Sequence, residues 1–238
     1  MSLYHTFILA ALALGVASCD EGRIYNDDTV LTEEGGTARF AGTISGTDTW
    51  STGYTLALAG FEEGNDYALI SKNIEISGAD GSYDITLSGI PGEVTSIELC
   101  AIDRLRRRVA TFLSAGYQPQ EGTLQISAEG VDMSMSTAIQ NEIFNTTCTQ
   151  CHGGAGYAAA GLDLLAGSSF GNLISTPSRK IPGMDRVAPG SSNDSELFLI
   201  LSSDLSADWN YDHSVEVVRQ EKLDLIRNWI DNGAKTGF

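Results

Sequence analysis

Cys148-Thr149-Gln150-Cys151-His152 spells C-x-x-C-H, a spacing with one characteristic use, the covalent attachment of a c-type haem. Two thiols about one helical turn apart can add to the two vinyl groups of a porphyrin. The adjacent histidine then falls beneath the iron as its proximal imidazole. Two other chemistries share the two cysteines. A thioredoxin-like redox pair follows a buried strand in a βαβ unit, whereas these cysteines follow an amphipathic stretch. A zinc site needs a fourth N or S ligand, for which His213 or Cys100 would have to be recruited.

The elements around this motif fall into two regimes. From Ser136 onward the apolar period is helical: Thr137 with Gln140 forms a candidate capping box, and Ile139 and Ile143 lie one turn apart. Leu223, Ile226, Trp229 and Ile230 stripe a second helix that ends near Gly233, with a short helix between them at 196–201 that Asn193 would cap. Upstream, residues 38–44, 54–58, 83–87, 96–102, 107–113 and 124–126 alternate apolar with small or polar, and Gly-rich turns separate them. These strands predict an N-terminal all-β, Ig-like sandwich over 19–132, led by an acidic tether. An all-α domain is expected over 133–238.

The chain has 238 residues, 42% of them hydrophobic, enough for a substantial core. Its formal charge is −17, with 31 acidic and 14 basic residues, and a net −12 lies in 20–132. That balance argues against nucleic-acid binding, which needs clustered Lys and Arg. The one basic cluster, Arg104, Arg106, Arg107 and Arg108, lies between two expected strands and reads first as a solvated turn. Docking to an acidic partner or to lipid headgroups is its other use.

Phe7 to Val16 is an apolar stretch of signal-peptide length, too short to span a membrane. The Val16-Ala17-Ser18-Cys19 ending resembles the bacterial lipoprotein box. That resemblance implies a signal over 1–18, diacylation of Cys19, and an exported protein held at a membrane surface, periplasmic or facing outward. Without the signal, His152 and His213 are the two histidines left.

Residues 136–238 resemble the small single-haem cytochrome c domains of bacterial lipoproteins, the planctomycete type related to class I cytochromes c. The matching stretches are 143–154 through C-T-Q-C-H-G-G, Ala160 to Leu164, Arg186 to Gly190, Ser195 to Leu197, and 225–234 around Trp229. The resemblance implies one covalent haem wrapped by these segments, crossed terminal helices, and one-electron transfer to redox partner proteins rather than catalysis. In the family a Met-Pro pair before the last helix supplies the distal ligand. Here Asp212-His213-Ser214 stands at that place, so His213 is the first candidate for the sixth ligand and Met184 the alternative. A solvated His213 in an acidic loop is the bland reading.

Arg186 is a candidate partner for a haem propionate. Leu197 and Trp229 are candidate pocket walls. Cys100 sits at an apolar strand position and reads as buried and inert. A haem enzyme or gas sensor with an open distal face is the competing function, and a ligand-binding β-region with an accessory haem module is another.

Overall fold

The computed structural model describes residues 35–75, 81–119, 122–154, 158–203, 205, 209 and 211–237. The expected signal segment and the lipidation site Cys19 lie outside them.

Seven strands form two sheets among the described residues: β1 (Gly36–Ser45), β2 (Tyr54–Phe61), β3 (Ile70–Asn73), β4 (Ser82–Ile90), β5 (Ser96–Asp103), β6 (Arg108–Gly116) and β7 (Thr123–Asp132). The first sheet runs β4-β1-β7 and the second β3-β2-β5-β6. β1 pairs antiparallel with β4 and parallel with β7, setting Phe40 opposite both Ile85 and Ile126. Its alternation does the rest: Ala38, Phe40 and Ile44 are buried while Arg39 faces solvent. Gly42 is fixed by the parallel partner, because a Cβ there would lie 1.8 Å from the Ala128 carbonyl oxygen.

β2 and β5 occupy the middle of the second sheet and are buried on both faces, which explains their nearly continuous apolar sequence. Leu56, Leu58, Leu99 and Ala101 join the main core. Ala57, Ala59, Phe61, Cys100 and Ile102 form a second cluster on the opposite face. Burial raises the Cys100 thiol far above its ordinary range, which makes it inert. β3 is a four-residue strand at the edge of the sheet, too short for its alternation to stand out in the sequence.

The helical elements are short: α1 (Met135–Ile139), a π-helix at Gln140–Cys148, α2 (Thr149–His152), α3 (Ser169–Leu173), α4 (Glu196–Ser202) and α5 (Gln220–Asp231). The expected Thr137–Gln140 capping box is not the start. Ser134 caps α1, its Oγ accepting the Thr137 N–H at 3.1 Å. Gln140 instead looks inward, donating to the Leu164 carbonyl at 3.0 Å and accepting from Ser169 Oγ at 2.6 Å. At α4 the cap position is Ser195 rather than Asn193, and its hydroxyl accepts the Ala188 N–H at 2.8 Å.

The expected pairing of an all-β sandwich with an all-α cytochrome c-like domain is overturned. The fold is mixed, two sheets plus a few short helices, and Gly35–Phe238 is one compact unit. Phe40, Leu58 and Leu99 from the sheets share a single hydrophobic core with Met135, Ile139, Phe144, Trp229 and Ile230 from the helices. Polar ties close the seam. Trp50 Nε1 donates to the Met133 carbonyl at 2.6 Å, and the Met135 N–H donates to Thr49 Oγ1 at 2.9 Å. Asn228 donates to Tyr54 Oη at 3.0 Å and Asn232 to the Thr49 carbonyl at 2.9 Å. The physical reason for the correction is what covers the apolar helix faces. Met135, Ile139 and Phe144 on the run that starts at α1, and Trp229 and Ile230 on α5, are fully buried in a cluster that includes Phe40, Leu58 and Leu99 of the sheets, so the helices complete a core with the strands rather than among themselves. No described helix is long and apolar enough to cross a membrane.

Candidate cofactor-attachment site

One helical run, α1 through the π-helix to α2, carries C-x-x-C-H at its end. Its first turns are anchored by the Ser134 cap and by fully buried Met135, Ile139, Ile143 and Phe144. Phe144 packs on Phe170 with ring centroids 5.8 Å apart, and Phe170 meets Trp229 edge-on at 5.3 Å. The polar Asn-Thr-Thr stretch then loosens the helix. Thr146 Oγ1 donates to the carbonyls of Glu142 at 3.0 Å and Ile143 at 3.1 Å. The Thr149 N–H reaches five residues back to the Phe144 carbonyl. Threonine hydroxyls that bond backwards compete for carbonyls in this way, and wide π turns recur beside functional sites.

Cys148 and Cys151 lie three residues apart on this run, within one turn of each other. Neither is in a disulfide, Cys148 being half-buried and Cys151 exposed. Burial, with smaller contributions from the Glu216 and Cys151 charges, pushes the Cys148 thiol up to about 11. His152 Nδ1 lies 3.1 Å from the Ala159 carbonyl and 3.3 Å from the Leu162 carbonyl. Donating its proton there leaves Nε2 as the free lone pair, the tautomer a metal ligand needs.

His213 comes to the same place from the far side of the chain. It opens a 3₁₀ turn at His213–Val215 capped by Asp212, which accepts the Ser214 N–H at 2.8 Å. Its ring centroid is 6.2 Å from that of His152, with the planes inclined by 32°. Tyr211 packs edge-on against His213 at 5.1 Å and donates its hydroxyl to Glu216. Burial holds the His213 pKa below the ordinary histidine value, and the nearby His152 charge adds to this, partly opposed by a hydrogen bond to the Tyr211 backbone.

The residues present fit the group that the motif implies. A metal–imidazole bond of about 2 Å sets each ring centroid about 3 Å from the metal, so two imidazoles flanking one ion stand about 6 Å apart. The observed separation meets that requirement. Among the described residues, no three His, Cys, Asp or Glu side chains gather around a point. A two-imidazole pair suits a metal whose remaining ligands come with a macrocycle.

Three of the other candidates, Arg186, Leu197 and Trp229, have partners away from the two histidines. The buried Arg186 donates to the Asn172 carbonyl at 2.8 Å and braces α3. The Met184 backbone closes a turn, its N–H on the Ile181 carbonyl at 3.2 Å, which leaves its thioether uncommitted. Leu197 and Trp229 belong to the shared core, where Trp229 Nε1 donates to the Lys235 carbonyl at 2.9 Å. Tyr211, Glu216 and the two carbonyls on His152 carry no sequence signature, because only the folded chain brings them to the motif. Compared with known proteins, the chain matches no protein-family model and no curated protein.

Proposed function

We propose that the chain holds one c-type haem through Cys148 and Cys151, with His152 and His213 as its two axial imidazoles, and that it transfers single electrons rather than catalysing a reaction. The observation that carries this reading is the 6.2 Å separation of the two rings, one of them belonging to C-x-x-C-H. A covalently held haem supplies a one-electron iron couple when bound.

The protein's part is binding, orientation and electrostatics. The Ala159 and Leu162 carbonyls fix the His152 tautomer. The capped turn at Asp212 and the Tyr211–Glu216 pair hold the His213 segment. With His152 and His213 both holding the metal, no ligand position would be left for a substrate or gas, which favours a carrier over an enzyme or gas sensor. The reading includes export and a lipid anchor at Cys19, with a redox partner whose contact surface is basic enough to meet a chain of −17.

The test is a pyridine haemochrome spectrum of the chain exported by a host competent for haem attachment. One haem per chain with a thioether-type spectrum is expected, together with a near-infrared band of bis-imidazole iron. A colourless protein, or one carrying zinc, ends the proposal.

A further inference from the structure

In the strand-rich part of the chain, three large apolar side chains among the described residues face solvent: Tyr67, Leu69 and Leu105. Tyr67 and Leu69 lie on the loop after β2 and Leu105 on the β5–β6 turn, and the two loops meet at one end of the second sheet. The loop after β2 is stitched to the β5–β6 turn, with the Ala68 N–H on the Arg106 carbonyl at 3.0 Å and the Arg108 N–H on the Asp66 carbonyl at 2.7 Å. Leu105 is the apex, 73% exposed, and is flanked by Arg104 and Arg106.

The remaining arginines of the cluster are occupied. Arg107 pairs with Asp103 at 3.2 Å, and Arg108 pairs with Glu98 at 2.7 Å and Asp66 at 3.2 Å. Among the described residues, Arg104 and Arg106 have no acidic partner. The tip is also rigid. Asp103 Oδ1 accepts the N–H groups of Leu105 at 2.8 Å and Arg107 at 2.9 Å, and Arg106 takes a left-handed φ of 63°. In a chain of −17, the four arginines here balance Glu62, Glu63, Asp66 and Asp103, and the two cations without an acidic partner stand beside an exposed leucine, with a tyrosine on the neighbouring loop.

We infer that this tip is a contact for an anionic lipid surface. Arginines meet phosphate headgroups, leucine enters the acyl boundary, and tyrosine favours the interface between them. Glu62 and Glu63 at the start of the same loop weaken the contact, so it works only for a protein already tethered to the bilayer, where the effective concentration is millimolar. The inference therefore takes its motive from the lipid-anchored reading, but its test does not. Its consequence is orientation: the anchored chain leans on this end of the second sheet.

The test uses the secreted holoprotein starting at Asp20, with a polyhistidine tag replacing the lipid, on vesicles containing a nickel-chelating lipid. Hydrogen exchange is read by mass spectrometry on phosphatidylglycerol-rich and on purely phosphatidylcholine vesicles. Exchange at 64–69 and 103–108 is expected to slow by about threefold or more on the anionic vesicles, with the exposed 179–184 segment unchanged. R104Q/R106Q removes the difference, and 0.5 M salt is expected to weaken it because exposed charges are then screened to about 4 Å. Equal exchange on both vesicles, which would leave the tip to a protein partner, overturns the inference, as does slowing that survives R104Q/R106Q. The optical spectrum of the same sample reports separately on the haem.

Discussion

His213 stands with its ring centroid 6.2 Å from that of His152, although 61 positions separate them in the chain. Each ring is held by its own local device, His152 by two carbonyls and His213 by a capped turn. The carbonyls on His152 belong to Ala159 and Leu162 and the cap on the His213 turn belongs to Asp212, so each histidine can be changed while these contacts of the other are kept.

His213→Ala is therefore expected to leave haem attached through the thioethers but to open the distal side. The near-infrared band of bis-imidazole iron disappears, and the reduced protein binds carbon monoxide rapidly where the parent does so slowly. His213→Met raises the midpoint potential, since axial-ligand identity moves haem potentials within a span of about 0.8 V. Redox titration with carbon monoxide flash photolysis checks both. An unchanged spectrum in His213→Ala would return the sixth position to Met184.

The thiols make a second prediction, on the haem-free chain. Alkylation needs the thiolate, and burial holds Cys148 near 11. At pH 8 only about one Cys148 in a thousand is then ionised, and the fraction grows tenfold with each unit of pH until the thiol titrates. The labelling order at pH 8 is exposed Cys151, then Cys148, with Cys100 unlabelled until the chain unfolds. Mass spectrometry after timed iodoacetamide quenches reads the order directly. Cys148 labelling as fast as Cys151 would contradict its burial.

The C-x-x-C-H spacing was legible because it is local: five consecutive residues carry it whatever fold surrounds them. The strands were legible where one face is buried, as in β1, whose Ala38, Phe40 and Ile44 alternate with outward residues. The architecture was not legible. The stripe of Leu223, Ile226, Trp229 and Ile230 marks an apolar helix face but is silent about what covers it. Read alone it suggests a helical domain, whereas Trp229 and Ile230 join Phe40 and Leu58 in one core. Gln140 fits a capping box by spacing, yet its amide serves Leu164 and Ser169, contacts that exist only once the chain has folded.

That shared core makes a third prediction. Phe40→Ala, in the first sheet, and Trp229→Ala, in α5, each remove a fully buried ring from the same cluster. Each is expected to cost about 3–5 kcal/mol. Urea unfolding followed by strand-sensitive and helix-sensitive signals should show both variants shifting one common transition. Separate transitions, with Trp229→Ala moving only the helical signal, would mean that two cores fold independently. Ser134→Ala, which removes the α1 cap, shifts the same transition by about 1 kcal/mol.

Glu98 makes the last prediction. Its carboxylate is 95% buried beside the second core cluster and is fully used, accepting from Arg108 Nη1 at 2.7 Å, Thr111 Oγ1 at 2.8 Å and Ser96 Oγ at 3.0 Å. Arg108 in turn lies over the Phe61 ring at 4.4 Å, closing that face of the sheet. Breaking one side of a fully buried pair costs about 3–5 kcal/mol. Arg108 keeps a quarter of its side chain in solvent and retains Asp66, so Glu98→Ala should cost less, about 2–3 kcal/mol. Glu98→Gln retains hydrogen bonds and should cost about half as much. Chemical denaturation of the two variants beside Arg108→Met settles which contact matters. If Arg108→Met is as stable as the parent while Glu98→Ala is not, the hydroxyls of Ser96 and Thr111 hold the carboxylate in place and the ion pair contributes little.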